Sequence, residues 1–497
     1  MTRWSTRWSR HGAPLVGVLA GILAHVGAGV PSYWGDEAAS VLSAERSVPG
    51  LIGLLGRVDA VHGAYYLFLH EWIRLVGTSE AAVRIPSAVA IGVAAAGVVV
   101  LGSRLLGPGI GVLAGLVFAV LPIATRMGME ARSYAFAMAA AVWLTVWLHE
   151  LVQRRESRWW AWALFAVGFA GGVYLFLYLA LLAPAHLAIV LGARASRPVV
   201  LRWVAASVGA AVLAAPILVL AMSQREQIGF LARRDYATAG AVLVEQWFGS
   251  AWVLAVAAWC AMAVAVATAA FAQAGRSTRS GVVVVVVWMA VPTAVLLAGD
   301  AWLTPLYNPR YLAFCAPAVA LLIAAGLRAL GVYAARLAAR PMLLRTVPLV
   351  GLGLVVALAA PAYVAQRGPY AKDGGSDLRQ TAEVIAAHAV EGDAIVFDRT
   401  VKPSRRPRLA LNLYPDKFAR VEDVELVKPH EAHTSLWDEV APLPEVADRV
   451  LAHQRVWAVE SDADASDVAA LRLLGYRVER TIPVHRTMIY ELVRSQP

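Results

Sequence analysis

Two adjacent carboxylates, Asp36 and Glu37 in the stretch "SYWGDEAAS" (32–40), follow the first long apolar segment almost without a spacer. A carboxylate there can act as a general base toward a substrate held at a membrane interface. The same Asp can cap a helix covering Glu37 to Ala44, where it would accept a backbone N–H beside the positive helix end. The two roles are compatible, because a cap fixes the direction of the carboxylate. Farther along, Arg132 in "EARSYA" and Arg310 in "YNPRY" stand at the ends of apolar segments, and His62 and Tyr65 open the stretch "HGAYYLFLHEWIRLVG".

The composition says what kind of element must hold these groups. Of the 497 residues 59% are hydrophobic and 16% charged, which is far from the balance of a soluble globular protein. Apolar runs long enough to cross about 30 Å of hydrocarbon recur up to residue 363, after which the chain reads as soluble. The pattern predicts an all-α membrane bundle of about eleven transmembrane helices over residues 1–364, then an α/β domain over 365–497. The expected crossings include Pro14 to Val30, Gly109 to Ala124, Tyr174 to Leu191, Val242 to Ala270 and Tyr311 to Leu327, each drawn as one continuous helix. Arg3, Arg7 and Arg10 place the N-terminus in the cytoplasm, and an odd number of crossings then puts the C-terminal domain outside a multi-pass cell-membrane protein. A cleavable signal peptide shares the basic start and apolar core of residues 1–30, and its removal would leave that orientation unchanged.

Acidic residues contribute little to orientation, so their bias needs another cause. The outer connections receive Asp36, Glu37, Glu45, Asp59, Glu71, Glu80, Glu130, Glu226, Asp235 and Asp300, and the inner side chiefly Glu150 and Glu156. Arginines join them outside, Arg84, Arg126, Arg233 and Arg234 among them. One membrane face therefore carries a mixed-charge surface suited to chemistry. The longest connection, residues 31–81, is expected to have structure of its own. Its helix from His62 puts Tyr66, Leu69, His70 and Ile73 near one face with Glu71 and Arg74 turned away, as suits an interface. Asp59 reads as a cap for that helix.

"YWGDEAAS", the run 59–90, "MEARSYAFAMAA" (129–140) and "NPRYLAFCAPAVALL" (308–322), in that order, resemble the integral-membrane glycosyltransferases of the GT-C fold. The nearest branch is similar to the dolichyl/polyprenyl-phosphate-mannose mannosyltransferases (glycosyltransferase family 39-like), in particular actinobacterial members. The resemblance covers most of residues 1–364; the tail matches only as an extracytoplasmic α/β appendage. It implies a many-helix bundle whose first outer loop carries the catalytic Asp or Asp-Glu pair, and a donor sugar attached to a polyprenyl phosphate. On it, Asp36 removes the proton from an acceptor hydroxyl, and Glu37 orients the acceptor or helps hold a metal.

Such a transfer also needs cations for the departing phosphate, a task that suits the planar fork of arginine. Arg132 and Arg310 are the candidates, with His62, Tyr65, Glu130 and Tyr307 completing the donor- and substrate-binding set. Local alternatives are an ion pair of Arg132 with Glu130 and a histidine that is only hydrogen-bonded. Arginines can neutralise a lipid monophosphate by themselves, so no metal site and no required cofactor are predicted, although the Asp36-Glu37 pair leaves room for a divalent cation. The expected partners are membrane lipids, a polyprenyl-phosphate-linked sugar donor with mannose as the first choice of sugar, and a glycan, glycolipid or protein hydroxyl as acceptor.

Other classes lack their signatures. The net charge of +10 is spread over short connections between apolar segments, where orientation explains it without nucleic acid. There is no G-x-x-x-x-G-K-[ST] run and no G-x-G-x-x-G between strand and helix. A secondary transporter or lipid flippase is the competing class, but its polar groups tend to lie at the bilayer midplane between repeats. Cys260 and Cys315 lie in apolar segments and read as packing residues. In the tail, "YAKDGGSD" (370–377) reads as a linker and "VKPSRRPRLALNLYP" (401–415) as a basic loop, either solvated or touching anionic glycan or lipid. A helix over Leu378 to Ala389, a helix around Ser466 to Leu474, and strands at 394–398, 455–460, 476–482 and 487–493 complete the domain.

Overall fold

The computed structural model describes residues 3–227, 229, 236–271, 275–302, 306–461 and 466–495, with side chains from residue 12 onward. Arg233, Arg234 and Asp235, assigned from sequence to an outer loop, lie outside the described residues, as do the side chains of Arg3, Arg7 and Arg10. In chain order the first five helices are α1 (Arg3–His25), α2 (Gly35–Glu45), α3 (Val48–Leu55), α4 (Gly63–Val76) and α5 (Glu80–Leu105). By contact the chain forms two compact units. One holds residues 1–26, 60–65 and 84–365, and the other 27–59, 66–83 and 366–497. Most of the first outer loop, drawn from sequence as part of the membrane bundle, thus groups with the residues beyond 365.

Among the described residues seven helices, lying almost wholly in the first unit, are long and apolar enough to cross a membrane: Glu80–Leu105, Tyr134–Gln153, Arg197–Ser223, Trp252–Phe271, Arg276–Trp302, Pro309–Leu337 and Leu343–Ala365. Four shorter apolar helices, Gly12–His25, Pro108–Val120, Trp159–Leu175 and Leu177–Gly192, accompany them. Helices answer the requirement that every backbone group be satisfied within its own segment in hydrocarbon. The segment Pro309–Leu337 is the centre, with 89% of its apolar window buried against 22% for Arg197–Ser223 and Leu343–Ala365. Its small residues let neighbours approach closely: a Cβ on Gly326 would lie 1.8 Å from the Ala261 carbonyl oxygen.

Several expected continuous crossings are interrupted, each at a residue with a backbone reason. Gly109 to Ala124 breaks at Leu121 (ψ 130°), because the proline that follows pushes its predecessor out of helix; Pro122–Met127 then starts anew. Val242 to Ala270 breaks at Gly249, whose φ of 59° suits glycine, leaving Trp252–Phe271 as the long helix. Tyr174 to Leu191 divides into the end of Trp159–Leu175, a 3-10 stretch Leu177–Leu182 and the helix Ala183–Gly192. Tyr311 to Leu327 opens as the 3-10 turn Pro309–Cys315 and continues to Leu337. The first segment ends at His25 rather than Val30. Cys260 and Cys315 are both free thiols.

The second unit is built on a mixed five-stranded sheet in the order β2-β1-β5-β7-β6, where β1 is Asp393–Phe397, β2 Val421–Asp423, β5 Arg455–Glu460, β6 Tyr476–Pro483 and β7 Met488–Arg494. β3 (Leu426–Lys428) and β4 (Glu439–Val440) pair separately. β1 runs parallel to β2 and β5, and β7 is antiparallel to β5 and β6. The unbroken apolar run Ala394–Phe397 is what a strand covered on both faces requires, and those residues are buried. The four expected strands and both expected helices are present, the helices as Leu378–His388 and Ser466–Leu473.

Two stretches read from sequence as loose are packed. Residues 370–377 are a knot of hydrogen bonds: buried Asp377 accepts from the amides of Arg486 and Thr487 and the Thr487 hydroxyl, all at 2.9 Å, and Asp373 pairs with Arg405 at 2.8 Å. The basic stretch 401–415 forms Pro403–Arg405 and Leu409–Leu413 turns, and its Arg408 is buried against Asp423 and Asp438. Composition suggested solvation there, but each of these cations meets an acid from a distant part of the chain.

Candidate active site

The first unit gathers one group of the anticipated residues. The chain turns tightly between Met127 and Tyr134: the Arg132 amide donates to the Glu130 carbonyl at 2.8 Å, and the Ser87 hydroxyl holds that same carbonyl at 2.6 Å. The turn presents Arg132, whose guanidinium donates to His62 Nε2 at 3.2 Å. Because arginine cannot accept, Nε2 carries the lone pair and His62 is neutral. Burial, then the positive charges of Arg132 and Arg310, push the imidazole well below its ordinary range, so it stays neutral at physiological pH. Arg310 reaches this region from the 3-10 turn Pro309–Cys315, which starts where the Asn308 side chain accepts from the Arg310 amide at 3.1 Å. Tyr65, buried, packs edge-on against Phe136 at 5.8 Å. Two guanidiniums therefore bear on one uncharged imidazole, an arrangement that attracts a phosphate.

Glu130 and Tyr307 have other engagements. Glu130 is buried and pairs with Arg126 at 3.4 Å, while the Arg132 guanidinium meets His62. The Tyr307 hydroxyl donates to Gln246 Oε1 at 2.7 Å, and its amide to Asp300. Sequence reasoning placed Arg84 only among the arginines of the outer mixed-charge surface, yet its side chain is fully buried near the start of α5. The available signal was an arginine in a long apolar helix, where an ionised group needs a reason to persist.

Asp36 and Glu37 lie in the second unit, in the first turn of α2, where the positive helix end favours both carboxylates. Glu37 is fully buried and Asp36 partly exposed. The expected cap is corrected: the helix begins at Gly35, and Trp34 occupies the capping position in extended geometry with no side-chain cap of its own. Asp36 therefore stands one residue inside the helix, in its first turn. Asp59 likewise accepts the Tyr66 hydroxyl at 2.8 Å, while the Ala60 amide turns to Gln224. On α4, Tyr66, Leu69, His70 and Ile73 are buried and Glu71 and Arg74 exposed, as anticipated. Among the described residues, no group of three or more His, Cys, Asp or Glu side chains is arranged to hold a metal ion.

Residues 64–220 match the family model of the dolichyl-phosphate-mannose-protein mannosyltransferases. No curated protein sequence matches the chain significantly. Among solved structures the chain is similar to ArnT from Cupriavidus metallidurans. The apo form has 11% identity and a TM-score of 0.59, and the form bound to undecaprenyl phosphate 12% and 0.56; each covers 96% of this chain and 97% of that one. It is also similar to the apo oligosaccharyltransferase of Archaeoglobus fulgidus, with 10% identity over 92% of this chain and 70% of that one and a TM-score of 0.54. The protein is thus a multi-pass membrane protein with the GT-C fold, and residues 64–220 carry its family-model match.

Proposed function

We propose that this protein is a membrane glycosyltransferase that moves a sugar from a polyprenyl-phosphate donor to an acceptor hydroxyl on the outer face of the membrane. The observation that carries the reading is the pairing of Arg132 and Arg310 around a neutral His62. Two permanent cations bind the donor's phosphate, and their charge stabilises the monophosphate as it leaves. The fold shared with a structure holding undecaprenyl phosphate supports a lipid-phosphate donor.

In the reaction the acceptor oxygen attacks the anomeric carbon and the bond from that carbon to the phosphate oxygen breaks. The hydroxyl proton passes to the Asp36 carboxylate, and the electron pair leaves with the lipid phosphate. Direct displacement inverts the anomeric centre. Glu37 orients the acceptor side, and Tyr65, Glu130 and Tyr307 shape the donor side. Mannose is the first sugar to offer, and the acceptor is a hydroxyl of a glycan, glycolipid or protein. The arginine-rich N-terminus lies in the cytoplasm and the C-terminal domain outside.

The test is transfer of labelled sugar from a panel of polyprenyl-phosphate donors to candidate acceptors by purified protein in nanodiscs, with Asp36→Asn alongside. Sugar transfer by the wild type and its loss in folded Asp36→Asn is the expected result. Unchanged transfer in Asp36→Asn removes the base, and solute flux without any transfer replaces the enzyme with a transporter.

A further inference from the structure

The helix that carries Asp36 is short, and its fixed points lie in the C-terminal domain. α2 has eleven residues, fewer than an isolated helix needs to hold its shape in water. Trp34, at its capping position, makes no side-chain cap. Instead the chain entering it is held from the tail: the Ser376 hydroxyl donates to the Tyr33 carbonyl at 2.6 Å, and the Arg379 amide donates to Ser32 Oγ at 3.0 Å. Gly35, the first helical residue, lies so close to Ser404 that a Cβ would sit 2.0 Å from the Ser404 carbonyl oxygen. Only glycine admits that approach without a backbone shift.

The other end is tied by Arg46, immediately after the helix. Its buried guanidinium donates from Nη1 to the His433 carbonyl and from Nη2 to the Ser435 carbonyl, each at 2.7 Å. Those carbonyls are oriented by their own turn, in which the Ser435 amide donates to His433 Nδ1 at 3.1 Å and the Ser435 hydroxyl lies 2.7 Å from the same nitrogen. A two-pronged contact of a planar group with two fixed acceptors restrains both the rotation and the axial position of the helix end. One turn of slack there would swing the Asp36 carboxylate around the axis.

We propose that the C-terminal domain is a clamp on α2, and that Arg46 is the positioning residue through which residues 433–435 set the direction of the Asp36 side chain. This rests on the reading of Asp36 as the base. It gives the tail a part in the rate of the chemical step and assigns it none in choosing the acceptor.

The experiment uses the full-length protein in nanodiscs with Arg46→Ala, Arg46→Lys and Asp36→Asn. Three quantities are read: kcat and donor KM for sugar transfer, hydrogen–deuterium exchange of residues 35–45, and the melting temperature. For Arg46→Ala the expectation is a kcat lower by about 10- to 100-fold, the scale of a misplacement near 1 Å, with donor KM within about twofold. Exchange in residues 35–45 should quicken. Arg46→Lys, which can reach one carbonyl and keeps the charge, should fall between. Wild-type kcat in Arg46→Ala despite faster exchange overturns the proposal, as does unchanged exchange in residues 35–45. A kcat that falls only in proportion to lost folded protein does so too. Wild-type transfer by Asp36→Asn instead overturns the assignment of the base, and the exchange data still decide whether the clamp exists.

Discussion

Replacing Arg132 by alanine removes the donor that lies 3.2 Å from His62 Nε2 and one of two cations acting on that imidazole. Two consequences follow from the geometry. Under the proposed function, a charge-assisted contact to the donor phosphate is lost, worth about 1.5–3 kcal/mol, or roughly 10- to 150-fold in kcat/KM. The imidazole pKa also rises, because one of the charges holding it down has gone, although burial, the larger cause, remains. Arg132→Lys keeps the charge and forfeits the fork, so its loss should be smaller than that of alanine. The assay is the initial rate of sugar transfer against polyprenyl-phosphate donor concentration in nanodiscs, with protein amount normalised to the folded fraction. Direct binding of undecaprenyl phosphate provides a second readout that needs no chemistry. Activity and binding both within about twofold of wild type, a change too small for a lost phosphate contact, would refute the assignment of Arg132 to the phosphate. A large loss of activity with undiminished phosphate binding would move Arg132 from ground-state binding to stabilisation of the departing charge.

Further outcomes can be checked by stability. Gly326→Val forces a side chain against the Ala261 carbonyl and should cost about 1–3 kcal/mol or more, seen as a lower melting temperature, whereas Gly353→Ala meets nothing within 4 Å and should be neutral. Asp377→Ala strips three hydrogen bonds from the Arg486–Thr487 turn. It should destabilise the C-terminal domain by about 2–4 kcal/mol and speed proteolysis near residue 370. Burial, reinforced by neighbouring acids, raises Glu460 to about 8 and Glu425 to about 7. The folded domain then binds protons that the unfolded chain has released, so stability is fully present below pH 4.5 and lost as pH rises through 7 to 8. The slope should be about 1.4 kcal/mol per pH unit for one proton. Glu460→Gln should flatten the decline of melting temperature between pH 5 and 9, and an unaltered profile would dismiss that residue as its source.

Much of the architecture was written in local chemistry. Long apolar runs leave helices as the way to satisfy a backbone in hydrocarbon, and the apolar run at 394–397 could only be a covered strand. Breaks inside the apolar runs were less legible. Leu121 lies within an unbroken apolar segment, where only the backbone preference of Pro122 marks the interruption, whereas Glu245, Gln246 and Ser250 stand beside the break at Gly249. The loop helix was readable by its face, because Tyr66, Leu69, His70 and Ile73 recur at helical spacing with Glu71 and Arg74 opposite.

For the site, residue type and position at segment ends were enough to single out Asp36, Arg132, Arg310 and His62, since a charge beside lipid needs a reason to be there. Their partners were not readable. That Arg132 meets His62 and Glu130 meets Arg126 depends on a turn and a 3-10 segment some 70 residues apart in the chain. That Trp34 and not Asp36 takes the capping position of α2, and that Arg46 is held by carbonyls 387 and 389 residues away, depends on which surfaces pack together. Sequence by itself determined the apolar helical segments, the tail's strands and which side chains are candidates for chemistry, because these follow from hydrophobicity and side-chain type along a few neighbouring residues. The tertiary structure alone decided which charges are paired and which helix is clamped by what, because such contacts are selected by packing between distant segments, and no local pattern encodes them.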